Sequence, residues 1–89
     1  MCEQHKQGNT AIVVLQRGWV VIGHLAIDGD DVTVSNASVI RRWGTTKGLG
    51  QIALEGLQSE TVLDPCGTVR AHRLAVVMTI DVTAPVTLP

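Results

Sequence analysis

The chain has 89 residues, 45% of them apolar and only 17% charged, with a formal net charge of −1. That length makes one domain with a single core and little surplus stability. The near-neutral balance excludes a strongly basic protein that coats nucleic acid by bulk electrostatics. With Trp19 and Trp43 as its whole aromatic content, the chain also lacks the base-stacking platform of many single-strand binders.

The low charge has a second implication. An average globular chain is about 25% charged, and a small domain needs more polar covering than average because its surface-to-volume ratio is high. Some apolar surface is therefore expected to be buried against another copy of the chain, giving a homo-oligomer.

In chain order, "MCEQHKQGNT" opens with a polar stretch, and residues 1–9 read as a flexible leader without a signal peptide's apolar segment. Its Cys2 and the distant Cys66 do not form a disulfide framework, which points to a reduced cytoplasmic protein with free thiols. A single domain is expected over residues 10–84, followed by a tail at 85–89. No apolar run approaches the ~18 residues of a membrane helix, so no membrane partner is expected.

"TAIVVLQRG" (10–18) has the β-branched density of a buried strand, broken at Gly18. "WVVIGHLAIDG" (19–29) is a second strand. Val20, Ile22, His24 and Ala26 share one of its faces, and Trp19, Val21, Gly23, Leu25 and Ile27 share the other. Both faces are apolar, so this strand is expected to be covered on both sides. "DGDD" (28–31) supplies a hairpin turn. "VTVSNASVI" (32–40) then places Val32 and Val34 inward, with a bend or bulge at Asn36 to Ser38.

Leu49, Ile52, Ala53 and Leu57 recur at helical spacing, predicting one amphipathic helix over about 48–56. Thr45, Thr46 or Gly48 is available as its N-cap, and Gly56 as its stop. "TVLDPCGTVRAH" (61–72) reads as two short strand pieces around an Asp64–Gly67 turn. "RLAVVMTIDV" (73–82) is the last strand, with Leu74, Val76, Met78, Ile80 and Val82 on one face. Pro85 prevents a central strand from continuing further, so the tail is expected to lie across the surface or a partner. The predicted fold is α+β: a small curved, mainly antiparallel sheet or partly open barrel of about five strands. One short helix is inserted after the third strand.

The segment richest in chemistry is "RRWGTTKGLGQ" (41–51). A glycine-rich loop with two threonines, a lysine and a following helix start has the ingredients for anion binding. It fails the phosphate-loop spacing, because Lys47 precedes Gly48, and it lacks the dinucleotide fingerprint. It reads first as a strand-to-helix connection and second as an anion or nucleotide-phosphate loop. Arg41, Arg42 and Trp43, with Thr45, Thr46 and Lys47, are the candidate ligand or interface residues. A tryptophan beside guanidinium groups suits a planar anion, and suits a protein interface better in a chain so poor in charge.

Other constellations are thinner. Cys2-x-x-His5 is half a metal site with no second pair at short spacing, so no metal or cofactor is expected. His24 is expected to pack in the sheet with one ring nitrogen satisfied. His72, between Arg70 and Arg73, reads as a solvated basic edge with some capacity for an anion. Asp28, Asp30 and Asp31 fit turn chemistry and not a calcium loop. Cys66 is a nucleophile only with a base nearby, and no nucleophile–base–oxyanion set can be assembled. The reading is a non-catalytic module rather than an enzyme.

Asn36-Ala37, Ile40, Trp43 and "IALEG" (52–56) also carry a resemblance. Over roughly residues 12–82 the chain resembles a group of small phage and mobile-element proteins. In that group a Gly-containing strand precedes an Asn/Asp-Ala step, a tryptophan near the strand end and a short helix. Arg41-Arg42 stand where the group has aromatic residues. The resemblance implies an accessory protein borne by a phage or gene cassette, and it implies no particular activity.

Overall fold

The computed structural model describes residues 9–89; apart from Asn9, the leader expected at 1–9 lies outside it, as do Cys2 and His5. Strands β1 (Thr10–Leu15), β2 (Val20–Asp28) and β3 (Asp31–Arg42) lead to helix α1 (Leu49–Glu55), then to β4 (Val62–His72) and β5 (Val76–Asp81). Short 3-10 segments, Gln16–Gly18 and Arg73–Ala75, join β1 to β2 and β4 to β5. All pairings are antiparallel and the sheet order is β4-β3-β2-β1-β5. This is the α+β fold predicted, five curved strands in an unclosed sheet with the helix after the third.

The curvature follows from the two-sided apolar pattern. Ile12, Val20, Ile22 and Ile40 face one way, and Ile52 and Ala53 of α1 cover them. Val13, Val21, Val34 and Ala37 face the other way, joined by Leu15, Leu25, Val39, Val69 and Val76. Strands alone supply this second cluster, and all five contribute to it. A three-residue link joins β4 to β5 although they lie on opposite edges, so the sheet must curl until its margins approach. Curling buries the face the helix cannot reach.

Two irregularities make the curl compatible with alternation. Asn36 has φ +49 and is the extra residue where Ile22 pairs with Ser38 but His24 pairs with Ser35. Without that bulge Val34 and Ala37 would point to opposite faces; with it they share a cluster. Directly across, Ala37 pairs with Gly67 and Ser38 with Pro65.

The turn expected at Asp64–Gly67 is therefore not a reversal. β4 runs continuously through it, and the turn-forming residues make a register shift instead. The shift puts Leu63 in the helix-covered cluster and Val69 in the strand-only one. Pro65 is tolerated because β4 is an edge strand.

A second difference concerns the last strand. Residues 73–75 are 3-10, and β5 passes from Met78 opposite Val14 to Val76 opposite Leu15, leaving Val77 as the extra residue. The expected single face from Leu74 to Val82 is split accordingly. Ile80 and Val82 join the helix-covered cluster, Val76 joins the other, and Leu74 and Met78 are exposed.

Helix α1 ends at Gly56, φ +96, whose N–H donates to the Ile52 carbonyl. The residues after β5 fold back over it. Thr83 and Ala84 donate backbone hydrogen bonds to the Ala53 carbonyl, and Val86 and Leu88 pack on the helix-side core. The tail thus lies across the chain's own helix.

Candidate functional site

At the end of β3 the chain must leave the sheet and enter α1 within six residues. Gly44 makes this possible: it has φ +63, and a Cβ there would overlap the Glu60–Thr61 backbone. The close approach is held by Thr61, whose Oγ1 donates to the Trp43 carbonyl at 2.7 Å and accepts from Gln58 N at 3.0 Å. Gln51, in the first turn of the seven-residue helix, reaches back over the loop. Its Oε1 accepts from the N–H groups of Thr46 (2.8 Å) and Lys47 (3.1 Å).

The cations of this segment are each faced by a carboxylate. Arg41 Nε lies 2.7 Å from Asp64 Oδ2, Arg42 3.5 Å from Glu60, and Lys47 3.9 Å from Glu55. All three pairs are exposed and individually weak. Their joint effect is to cancel the positive field that an anion would require. An anion entering the 41–47 loop would also have to displace Gln51 from two N–H donors. α1 has no side-chain N-cap, and at seven residues it offers little dipole. Six expected site residues are thus neighbours: Arg41, Arg42, Trp43, Thr45, Thr46 and Lys47 belong to one junction. Its polar groups brace β3, α1 and the start of β4 against one another.

The remaining chemistry-bearing residues are dispersed. His24 Nδ1 lies 3.4 Å from Thr10 Oγ1, satisfying one ring nitrogen in the sheet. Cys66 is exposed, and its thiol reaches the Ala37 carbonyl at 3.5 Å. His72 accepts from Leu74 N through Nδ1 and presents Nε2 to Asp30 at 3.8 Å. Arg73 binds the same Asp30 through Nε at 2.9 Å, and its N–H donates to the Asp30 carbonyl at 2.8 Å. Asp30 therefore fastens the β2–β3 turn to the β4–β5 corner. Among the described residues no three His, Cys, Asp or Glu side chains are grouped as metal ligands. No described helix is long and apolar enough to cross a membrane.

Beside the Asp30 clamp lies an apolar feature that sequence reasoning missed. A cleft of ≈ 280 Å³ is lined by Ile27, Gly29, Val32, Arg73, Leu74, Val76 and Thr79. Two of its lining side chains, Leu74 (73%) and Ile27 (61%), are exposed; Val77 (60%) and Met78 (52%) of β5 are exposed as well, Met78 on the helix-side face beside Val14. Gln16 of the β1–β2 turn donates to the Leu74 carbonyl, so this turn meets the same corner; the exposed Trp19 follows it. No protein-family model matches the chain, and no curated protein matches it. The site must be judged on its own geometry. The sequence signal for the corner was the uncharged run from Leu74 to Ile80, but a buried strand gives the same signal.

Proposed function

We propose that this chain is a non-catalytic α+β module that self-associates and works as a binding or accessory component. Such a role fits the phage and mobile-element proteins that its sequence resembles. The observation that carries the reading is the uncovered apolar corner formed by Ile27, Leu74, Val77 and Met78. Four large apolar side chains held in water, two of them lining the cleft, favour burial against protein, at about 25 cal/mol per Å² of apolar surface removed. The 17% charge content supports the same conclusion from composition.

Two observations favour a module without catalysis or small-anion capture. Cys66, His24 and His72 each engage a different neighbourhood, and the 41–47 cations face carboxylates. The test is solution mass. Light scattering over a dilution series is expected to give a mass well above the 9.5 kDa of one chain. A monomer at all concentrations overturns the reading. In a parallel thermal-shift screen, nucleotides and phosphate compounds are expected to leave Tm unchanged. A saturable shift with a change in Trp fluorescence would instead assign the junction to a ligand.

A further inference from the structure

Behind β5 the chain changes how it is held. Val82 N donates to the Thr10 carbonyl, and Thr83 and Ala84 donate to the carbonyl of Ala53 in α1, where the Thr83 hydroxyl adds a 3.3 Å bond. Beyond Ala84 this support stops. Among the described residues no backbone hydrogen bond ties 85–89 to the fold, and Pro85 and Pro89 have no N–H to offer one. What remains is side-chain packing. Val82, Ala84, Val86 and Leu88 are half-buried, whereas Thr83, Pro85, Thr87 and Pro89 are exposed, the alternation of an extended segment with one face down. Val86 and Leu88 pack on the helix-side cluster. The path crosses the end of α1 at Gly56, which is buried and where a Cβ would stand 3.5 Å from the Pro85 carbonyl oxygen. The segment thus lies in its seat as a bound peptide would, through alternate side chains.

We propose that residues 85–89 form a strap that opens while the sheet stays folded, over a groove that accepts an extended, uncharged peptide with branched aliphatic side chains two residues apart. The chain's own strap is that ligand held in cis. This goes beyond self-association and stands without it, since the groove lies on the helix side and not at the β4–β5 corner. Segments open locally where few apolar contacts and no backbone hydrogen bonds must be broken. Here the anchors are two, Val86 and Leu88, and Ala84, bonded to Ala53, is the post at which opening stops. The occupant's chemistry is read from the segment seated there. Its inward side chains are aliphatic at i and i+2, it carries no charged side chain, and its first residue, Pro85, lacks a donor. A charge at either inward position would have to be desolvated among isoleucines, valines and leucines. The resident strap competes with any such peptide, so the groove is free only in the fraction of molecules that are open.

The test is a titration of the full-length, isotope-labelled chain with the unlabelled peptide PVTLP, followed by NMR. In wild type, excess peptide should displace the strap: the Val86, Thr87 and Leu88 amides move toward random-coil positions while those of β2 stay put. Val86→Asp combined with Leu88→Asp should keep the far-UV circular dichroism of the fold and leave the groove empty. That variant should bind the peptide about tenfold more tightly than wild type, with saturable shifts at the Ala53 and Gly56 amides. A peptide carrying the same two substitutions should shift nothing. A strap that excess peptide leaves in place, or a double variant that unfolds, makes 85–89 part of the core and overturns the opening. A folded variant whose Ala53 and Gly56 amides ignore the peptide overturns the groove. Equal affinity in the two proteins overturns the competition, because the peptide then binds elsewhere.

Discussion

The junction at residues 41–47 and the corner at residues 73–78 are opposite kinds of surface. The junction holds charge that is matched locally: three cations face three carboxylates, and two loop N–H groups share one glutamine oxygen. The corner holds apolar side chains that the described residues leave exposed. Chemically rich sequence drew attention to the first, whereas the second is written in ordinary strand residues. A polar cluster satisfied within its own chain is architecture. An apolar cluster exposed to water is the surface that the proposed self-association would bury.

This contrast can be broken most forcefully at Gly44. Gly44→Ala forces a side chain into the Glu60–Thr61 backbone at positive φ, so the cost should exceed the ~1 kcal/mol of left-handed strain alone. Urea denaturation should show a loss of several-fold that amount. Gly48→Ala meets no neighbour, but at φ 83, ψ −169 its backbone lies in a region essentially confined to glycine, so it should lose about 1–3 kcal/mol from strain alone and less than Gly44→Ala. Equal losses at the two positions would mean that the junction is not a tight brace.

Gln51→Ala removes the acceptor for Thr46 N and Lys47 N and should cost about 1 kcal/mol in the same assay. Hydrogen exchange at those two amides should rise while β2 stays protected. Ser38→Ala probes the interior between the two regions. The Ser38 side chain is fully buried and its Oγ has no hydrogen-bond partner among the described residues. Alanine there should be neutral or stabilising by up to ~1 kcal/mol, because an unsatisfied hydroxyl is removed with little change of shape. The smallest effect belongs to the exposed Arg41–Asp64 pair: Arg41→Ala should change stability by less than ~1 kcal/mol, with the difference shrinking in high salt.

Much of the fold was legible because its elements obey local rules. The two apolar faces of β2 announced a strand covered on both sides, which holds over Val20 to Ile22 but not for the exposed Trp19 and Ile27; Val32 and Val34 announced the inward face of β3. Leu49, Ile52, Ala53 and Gly56 bounded α1. Illegible was whatever depended on which strand lies at an edge. Pro65 and Gly67 have turn composition, yet in an edge strand the same residues make a register shift. Leu74 and Met78 have the periodicity of a core face, yet the 3-10 segment and the Val77 bulge turn them outward. The junction residues are neighbours because they follow one another along the chain. Their carboxylate partners, Asp64, Glu60 and Glu55, come from later in the chain, and no spacing rule connects them.

The seam between β1 and β5 has a consequence for how the chain is made. Ala11, near the start of the described chain, pairs with Asp81, and the segment after it lies over α1. On a ribosome β1, β2 and β3 can emerge and pair while the second side of β1 is still bare. The helix likewise emerges before Val86 and Leu88 exist to cover it. Contacts so distant along the chain form slowly, and synthesis supplies their second half last. The seam therefore closes only after β5 and the segment behind it have been added, and that one step fastens β1 and the helix together.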